Sequence, residues 1–439
     1  MLGVLSHRTY RHLFLAQVIA LLGTGLATVA LGLLAYDLAG EQAGAVLGTA
    51  LAIKMVAYVA IAPVAGAFAE RLPRRTLLVA LDVVRAGVAL ILPFVTEVWQ
   101  VYILIFLLQA ASASFTPTFQ ATIPDILPDE KEYTNALSLS RLAYDLENLI
   151  SPTLAAVALA FVSFHALFLG TVVGFLASAL LVVSVLLPSP KPTDRRGIYD
   201  RTTRGSRIYL ATPRLRGLLA ICLSVAAGGA MVIVNTVVLV QGALGLDQRA
   251  VALALAAFGG GSMIAALTLP RLLDRFADRT VMLTGVLALA LGLAVGPLIS
   301  SFEALMAIWL CLGVGYSVAQ TPSGRLLRRS AKPGDRAAVF AAHFALSHAC
   351  WLLTYPFAGW FGAVVGLAPT FLVLSGTALA GLLLAFRLWP ADDSDVIEHT
   401  HDDLPPDDPH LQEGHHLGRH RHAHIFMIDN LHHEWPRER

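Results

Sequence analysis

Phe68-Ala69-Glu70-Arg71-Leu72-Pro73-Arg74-Arg75 separates two apolar runs, Ala43 to Ala69 and Thr76 to Thr96. Each run is long enough to cross a bilayer as a helix, which takes about 20 residues at a rise of about 1.5 Å per residue. Far downstream, Leu272-Leu273-Asp274-Arg275-Phe276-Ala277-Asp278-Arg279 separates two more, Val251 to Leu269 and Val281 to Ser300. An acid followed by arginines, at the same place between spans in each half of the chain, is an internal repeat. It predicts two similar bundles, with the second and third spans of each joined by a short charged loop.

Outward from these loops, twelve apolar runs appear. The first six are Leu13 to Leu38, Ala43 to Ala69, Thr76 to Thr96, Val98 to Ala121, Ala136 to Val162 and Phe164 to Leu187. The second six are Leu215 to Val240, Val251 to Leu269, Val281 to Ser300, Ala304 to Thr321, Ala338 to Gly359 and Ala368 to Trp389. With 56% hydrophobic and 14% charged residues and a mean hydropathy of +0.68, the chain is not a water-soluble globular protein. Only helices satisfy their own backbone hydrogen bonds in hydrocarbon, so an all-α polytopic membrane protein is expected, with the lipid bilayer as its first partner. Four segments follow: 1–187, a six-helix bundle; 188–214, a basic linker; 215–390, a second six-helix bundle; and 391–439, a polar tail.

Placing the amino terminus in the cytoplasm puts 27 of the 31 Lys and Arg residues on the cytoplasmic side, as the positive-inside rule requires. Both termini are then cytoplasmic. Arg249 alone falls on the far side, and Lys54, Arg85 and Arg141 lie within spans. The first apolar run is too long for a signal peptide and is read as a retained span. A net charge of +1 gives no electrostatic reason to expect a nucleic-acid partner. Cys222, Cys311 and Cys350 have neither disulfide nor metal-site spacing and read as small core residues. No phosphate-binding loop, activated nucleophile or sizeable soluble domain suggests an enzyme.

Gly66-xxx-Glu70-Arg71-x-Pro73-Arg74-Arg75 resembles the Gly-xxx-Asp-Arg-x-Gly-Arg-Arg signature that the major facilitator superfamily carries between its second and third helices. Glu70 stands for the Asp and Pro73 for the second Gly, which keeps the charge and alters the turn. The resemblance implies the major facilitator fold, twelve transmembrane helices in two pseudo-symmetric halves, usually working as a monomer. It further implies that Gly66, Glu70, Arg71, Arg74 and Arg75, with Asp274 and Arg275 in the repeat, latch one access state. Phe115-Thr-Pro117-Thr-Phe-Gln120 and Arg141-Leu-Ala-Tyr-Asp145-Leu-Glu147-Asn148 resemble the proton-driven drug and metal exporters of that superfamily. Ser151-Pro152 stands where its antiporters carry Gly-Pro. The whole chain is similar to bacterial nickel-resistance permeases, whose cytoplasmic tails are rich in histidine. That likeness implies export of a small cationic substrate, nickel or cobalt, from the cytoplasm across the bacterial inner membrane. Protons would be the counter-ion, with no tightly bound cofactor.

A charge at the bilayer centre costs roughly 2.5 to 3.5 kcal/mol on insertion scales, so such residues face a cavity or a partner. Lys54, Arg141, Asp145, Glu147 and Asn148 are therefore the candidates for transport and proton coupling. Arg141, Asp145 and Asn148 share one helix face, whereas Glu147 projects about 100° from Asn148. Asp145 or Glu147 is expected to carry the proton, with Lys54 as counter-charge; Arg141 with Asp145 also reads as an intrahelical ion pair. Asp82 and Arg85 are expected to pair at the cytoplasmic interface. His343 and His348, five residues apart, point about 140° from each other and read as core histidines.

From Ala391 hydrophobicity collapses, and the composition predicts a mostly disordered tail. Ten of the 15 histidines lie there: His399, His401, His410, His415, His416, His420, His422, His424, His432 and His433. Imidazole suits nickel, cobalt, zinc and copper(II), so these are the candidate metal ligands, and the tail is expected to collect metal at the inward mouth. The apolar run Ile425 to Ile428 can dock on the cytoplasmic face. Two other readings stand beside metal export: a proton-driven exporter of drugs or siderophore-like solutes, and a membrane-anchored metal sensor.

Overall fold

The computed structural model describes residues 2–39, 43–69, 72–159, 161–188, 198–246, 248–401, 405, 409–412, 415–416, 421–429 and 431–436. The first half holds α1 (Arg8–Ala39), α2 (Ala43–Ala69), α3 (Arg74–Ile91), α4 (Val98–Ile126), α5 (Glu130–Leu159) and α6 (Phe164–Val183). A linker helix α7 (Ile198–Ala211) leads to α8 (Pro213–Val237), α9 (Gln248–Leu273), α10 (Asp278–Val295) and α11 (Phe302–Gln320). The short α12 (Ser323–Arg329) precedes α13 (Arg336–Val365) and α14 (Leu367–Leu388). Setting aside α7 and α12, the long helices match the twelve predicted spans in order. Among the described residues, ten meet a length and hydropathy criterion for crossing a membrane. The other two are α2, whose described apolar stretch Ala52–Ala62 is shorter, and α5, which carries the charges of the coupling candidates.

The two halves repeat one packing scheme. In the first, α1 packs on α6 and α5, α2 on α4, and α3 on α4 and α6. In the second, the equivalent helices make the same pairs: α8 on α14 and α13, α9 on α11, and α10 on α11 and α14. Between halves, α2 meets α13 and α5 meets α9, a pairing that the internal repeat maps onto itself. Without a hydrophobic force between helices in lipid, close backbone approach matters, and small residues permit it. At the α9–α11 crossing a Cβ on Gly313 would collide with the carbonyl oxygen of Phe258. Large apolar side chains such as Leu180, Val173, Leu353 and Leu383 cover the outside, the surface a bilayer solvates and water does not.

Local signals set several helix ends. Glu97 and Gln100 form a capping box at the start of α4, and the Ser301 hydroxyl accepts from the Ala304 amide at the start of α11. Pro213 occupies the first turn of α8, where its missing N–H costs nothing.

Two expectations change, and the linker takes a form that the sequence reading left open. The Asp82–Arg85 pair does not lie at the interface. It is buried on α3, where Asp82 accepts from Ser178 Oγ at 2.7 Å and the Arg85 guanidinium lies over the rings of Phe115 and Phe175. An arginine flanked by aromatic faces and a carboxylate keeps its compensation inside the bundle. The linker, of which 189–197 lies outside the described residues, becomes helical at α7 and packs on α13 and α2. There Arg204 forms a bidentate pair with Asp335, at 2.5 and 2.8 Å.

The tail, expected to be disordered, folds over its described residues. β1 (Val396–Thr400), β2 (His415–His416) and β3 (Arg421–Ile425) make an antiparallel sheet in the order β1-β3-β2. Phe426 and Ile428 are buried in the core of the second half, with Ile397 and Trp435 packed against it. The tail thus borrows a core from the membrane domain instead of building one, which its composition alone does not reveal.

Candidate functional site

Two polar regions interrupt the apolar bundle. The first lies inside it, between the halves. Lys54 and Tyr58 stand one turn apart on α2. The Tyr58 hydroxyl donates to Gln109 Oε1 on α4 at 2.9 Å, and Lys54 Nζ lies 5.5 Å from the Tyr58 ring centre. From the other half, His348 of α13 meets the Tyr58 ring edge-on at 4.8 Å, and its Nδ1 donates to the Phe344 carbonyl at 2.7 Å. Glu147 of α5 faces α1, its Cγ 3.5 Å from where a Cβ on Gly25 would lie, and its charge acts on that of Lys54. The side chains of Arg141, Asp145 and Asn148 lie outside the described residues, as do those of His415 and His416. His343 sits apart, its Nδ1 3.1 Å from the Tyr209 hydroxyl on the linker helix.

The second region is the face on which the amino terminus, linker and tail lie, and here ion pairs tie the halves together. Arg74 is buried and donates to Asp125 Oδ2 at 2.5 Å and to the Ala121 carbonyl at 3.2 Å. Arg336, from the second half, takes the other carboxylate oxygen of Asp125 at 2.6 Å. Glu130 is held by Arg325 at 2.9 Å and Arg328 at 3.1 Å, and the Tyr133 hydroxyl donates to the Gly324 carbonyl at 3.2 Å. Because Asp125 shares its oxygens between halves, separating them on this face breaks charge-assisted bonds.

Of the predicted latch residues, Glu70 and Arg71 lie outside the described residues, and Gly66 lies in α2. Arg75 reaches the Val183 carbonyl at the end of α6. In the repeat, Asp274 and Arg275 are exposed, whereas Asp278 is buried and lies 3.6 Å from both Arg325 and Arg329. Asp125, Glu130, Arg325, Arg328 and Arg336 belong to no local motif, so their pairing across the halves has no signature in the sequence. What the sequence does show is a set of acids at the ends of α4, α5 and α10 on an otherwise basic face.

Arg329, at the end of α12, turns the same network toward the tail. It donates to Asp395 at 2.9 Å and to the Asp393 carbonyl at 3.2 Å, and Arg214 of α8 reaches Asp395 at 2.7 Å. Burial alone would raise the Asp395 carboxyl, but the hydrogen bonds from Arg329 and Arg214 outweigh it and hold the group below its ordinary value. For Asp393 burial prevails over the same two arginines, and its carboxyl is raised. Further on, Lys332 Nζ meets Asp429 Oδ2 at 2.7 Å.

The tail sheet brings imidazoles together. His399 of β1 pairs in register with His422 of β3, and the i, i+2 spacings His399/His401 and His422/His424 present alternate side chains to one side. His410 comes from the short turn Pro409–Gln412, and His432 from the final segment. Two quartets result, His399/His401/His410/His432 and His399/His410/His422/His424, each with ligand atoms within 4.8 Å of one another. Burial, reinforced by the neighbouring imidazoles, pushes His399 and His422 down to about 4, so both rings are neutral and able to bind a metal at physiological pH. His433 is exposed, and His420 lies outside the described residues. A cleft of 1110 Å³, bordered by Arg214, Asp393, His399, His401 and His432, opens beside the cluster.

Comparison with known proteins gives a consistent picture. The profile described as Major Facilitator Superfamily matches residues 13–232 and 217–406. An uncharacterized MFS-type transporter, YfiS of Bacillus subtilis, is 24% identical over 170 residues, which is 37% of this chain and 40% of that protein. Macrolide efflux protein A is also 24% identical, over 152 residues in Enterococcus faecalis (32% of this chain, 47% of that one) and 148 in Streptococcus pyogenes (33% and 36%). The chain thus spans less than half the length of these curated relatives. Among solved structures, the human organic anion transporter MFSD10 (TETRAN) superposes with a TM-score of 0.75 at 13% identity, over 86% of this chain and 99% of that one. A bacterial homologue of the iron transporter ferroportin, in an outward-facing state, gives 0.70 at 15% identity over 87% and 98%.

Proposed function

The chain belongs to the major facilitator superfamily, and we propose that it exports a divalent transition metal, nickel or cobalt, from the cytoplasm in exchange for protons. The observation that carries this reading is the histidine cluster, folded and anchored on the face where ion pairs join the two halves. A transporter of organic solutes has no evident use for six converging imidazoles at that position.

In this reading the basic face is cytoplasmic, both termini lie there, and the membrane is the bacterial inner membrane. The described conformation is then closed toward the cytoplasm by Asp125 and Glu130 with their arginine partners. Metal enters when those pairs part, binds near the midplane between the halves, and leaves when the far side opens. Lys54 is the counter-charge of Glu147, and protonation of Glu147 releases the lysine's hold and changes the field that the metal meets. Direct ligation beside a charged lysine is disfavoured, so metal and proton occupy the site in turn. The tail collects metal close to the entrance and raises its local concentration, and the chain acts as a monomer.

A second reading is favoured by one observation, the similarity to proteins named for macrolide efflux. There Lys54 would pair with an anionic group of an organic cargo. Cellular metal content separates the readings. A metal exporter lowers nickel in overproducing cells and raises it in cells lacking the gene. An organic-solute exporter leaves nickel unchanged, and a sensor alters other proteins' expression; either outcome overturns the proposal.

A further inference from the structure

The two histidine quartets share His399 and His410, so they are one cluster and not two. Five Nε2 atoms run in sequence through it. His422 to His399 and His399 to His432 are 3.0 Å apart, and His432 to His401 and His401 to His410 are 3.2 Å apart. The opposite side of two key rings is fixed. His399 Nδ1 lies 3.0 Å from the Ile397 carbonyl, and His432 Nδ1 lies 2.9 Å from Asp429 Oδ1. A carbonyl and a carboxylate only accept, so both Nδ1 atoms carry a proton, which leaves the two Nε2 atoms to face each other across 3.0 Å. In neutral rings these are two lone pairs, and they repel. A cation between them turns that repulsion into ligation, and the fixed Nδ1–H is the outer contact that metal-binding histidines commonly make.

From this geometry we propose that His399, His401, His410, His422, His424 and His432 surround a single divalent first-row transition ion with six imidazole nitrogens. This inference deepens the metal-export reading and rests on it. With metal–nitrogen bonds of about 2.1 Å, neighbouring ligands lie about 3.0 Å apart in an octahedron and about 3.4 Å apart in a tetrahedron, while opposite ligands lie about 4.2 Å apart. The spacings of 3.0 to 3.2 Å along the series match the octahedral edge, and the 4.8 Å limit on each quartet accommodates opposite ligands. The sixth ligand, His424, has its Nδ1 2.7 Å from the Ile425 carbonyl, the same outer arrangement.

The chemistry selects the ion. Six neutral nitrogens and no thiolate disfavour copper(I), and the lack of oxygen donors disfavours calcium and magnesium. Zinc prefers four ligands and copper(II) a tetragonal set, so a regular six-imidazole shell suits nickel(II), cobalt(II) and iron(II), of which the export reading takes nickel and cobalt. The cluster thereby acts as a selectivity filter for cargo before it reaches the membrane.

The test uses the full-length protein in detergent, titrated with nickel chloride. Metal content per chain is measured, X-ray absorption is recorded at the nickel edge, and nickel movement is assayed in proteoliposomes made from the same preparation. The expected result is one tightly bound nickel per chain with a six-nitrogen imidazole shell. His401→Ala and His424→Ala, each removing a ligand from a different quartet, should both weaken that one ion about tenfold or more. Two ions per chain, or a four-coordinate shell that His401→Ala leaves intact, would overturn the single-site proposal while nickel transport persists. A six-nitrogen site in a protein that moves no nickel would uphold the site and overturn the export reading.

Discussion

Lys332 and Asp429 meet at 2.7 Å, and the second oxygen of the same carboxylate holds His432 Nδ1 at 2.9 Å. One carboxylate therefore joins the histidine cluster to the loop between α12 and α13, four residues before Arg336. Through Arg336 the path continues to Asp125 and the first half. Asp429→Asn should weaken nickel binding about 10- to 100-fold, the usual cost of losing an outer contact to a metal-bound histidine. Lys332→Met should change it by no more than a few-fold, because the exposed ammonium lies beyond the carboxylate. Isothermal titration of both variants measures the difference, and equal losses would contradict it.

Asp125 holds Arg74 from its own half and Arg336 from the other. Asp125→Asn leaves a buried guanidinium with a neutral partner and should shift the equilibrium toward separation on this face by about tenfold. Spin labels at the exposed positions Lys131 and Pro333 should report a longer distance in the variant. An unchanged distance distribution would show that these pairs do not set the access state.

Glu147→Gln keeps the side chain's shape and removes its titratable proton. If Glu147 carries the exchanged proton, nickel export should lose its dependence on an imposed pH gradient while binding to the tail stays the same. Lys54→Met should impair coupling as well, since it removes the charge that Glu147 answers. Gradient-driven transport at the wild-type rate in Glu147→Gln would transfer the proton role to another group.

Asp395 anchors the tail through Arg329 and Arg214, and its carboxyl is held below the ordinary aspartate value. A depressed carboxylate contributes stability above its unfolded pKa, and that contribution fades as pH falls through the folded value. Asp393, with a raised carboxyl, works in the opposite sense and favours the docked tail as it gains a proton. Asp395 makes the shorter contacts, so docking should persist down to the ordinary aspartate range and loosen below it. Asp395→Asn should loosen it at neutral pH. Hydrogen exchange of residues 396–400 and 421–425 follows both, and protection that ignores pH and substitution alike would contradict the assignment.

The spans, their division into halves and the charged loops were legible in the sequence because a bilayer imposes one length and one kind of surface on every crossing helix. Lys54 and Glu147 were legible for the same reason, as charges that hydrocarbon does not tolerate without a partner. The ion pairs joining the halves were not, because Asp125 and Glu130 come from the first half and Arg325, Arg328 and Arg336 from the second. No local spacing relates them. The tail's fold was hidden by averaging. Its overall composition is polar, and its strands are short: Val396-Ile397-Glu398-His399-Thr400 alternates in burial over only five residues, and Arg421-His422-Ala423-His424-Ile425 does not alternate strictly. Phe426 and Ile428 find their core in another domain. The histidines themselves were evident, but their convergence depends on the register that sets His399 against His422.

Metal export is tested most directly in proteoliposomes that hold the purified chain with its basic face outward, loaded with a metal-sensitive dye and given an inward-directed nickel supply under an outward-directed proton gradient. Nickel should enter the lumen, faster with the gradient than without it, and deleting residues 391–439 should slow entry at low nickel while leaving it measurable at high nickel. A lumen that gains no nickel or cobalt under any gradient, from a protein that retains its fold, would contradict metal export.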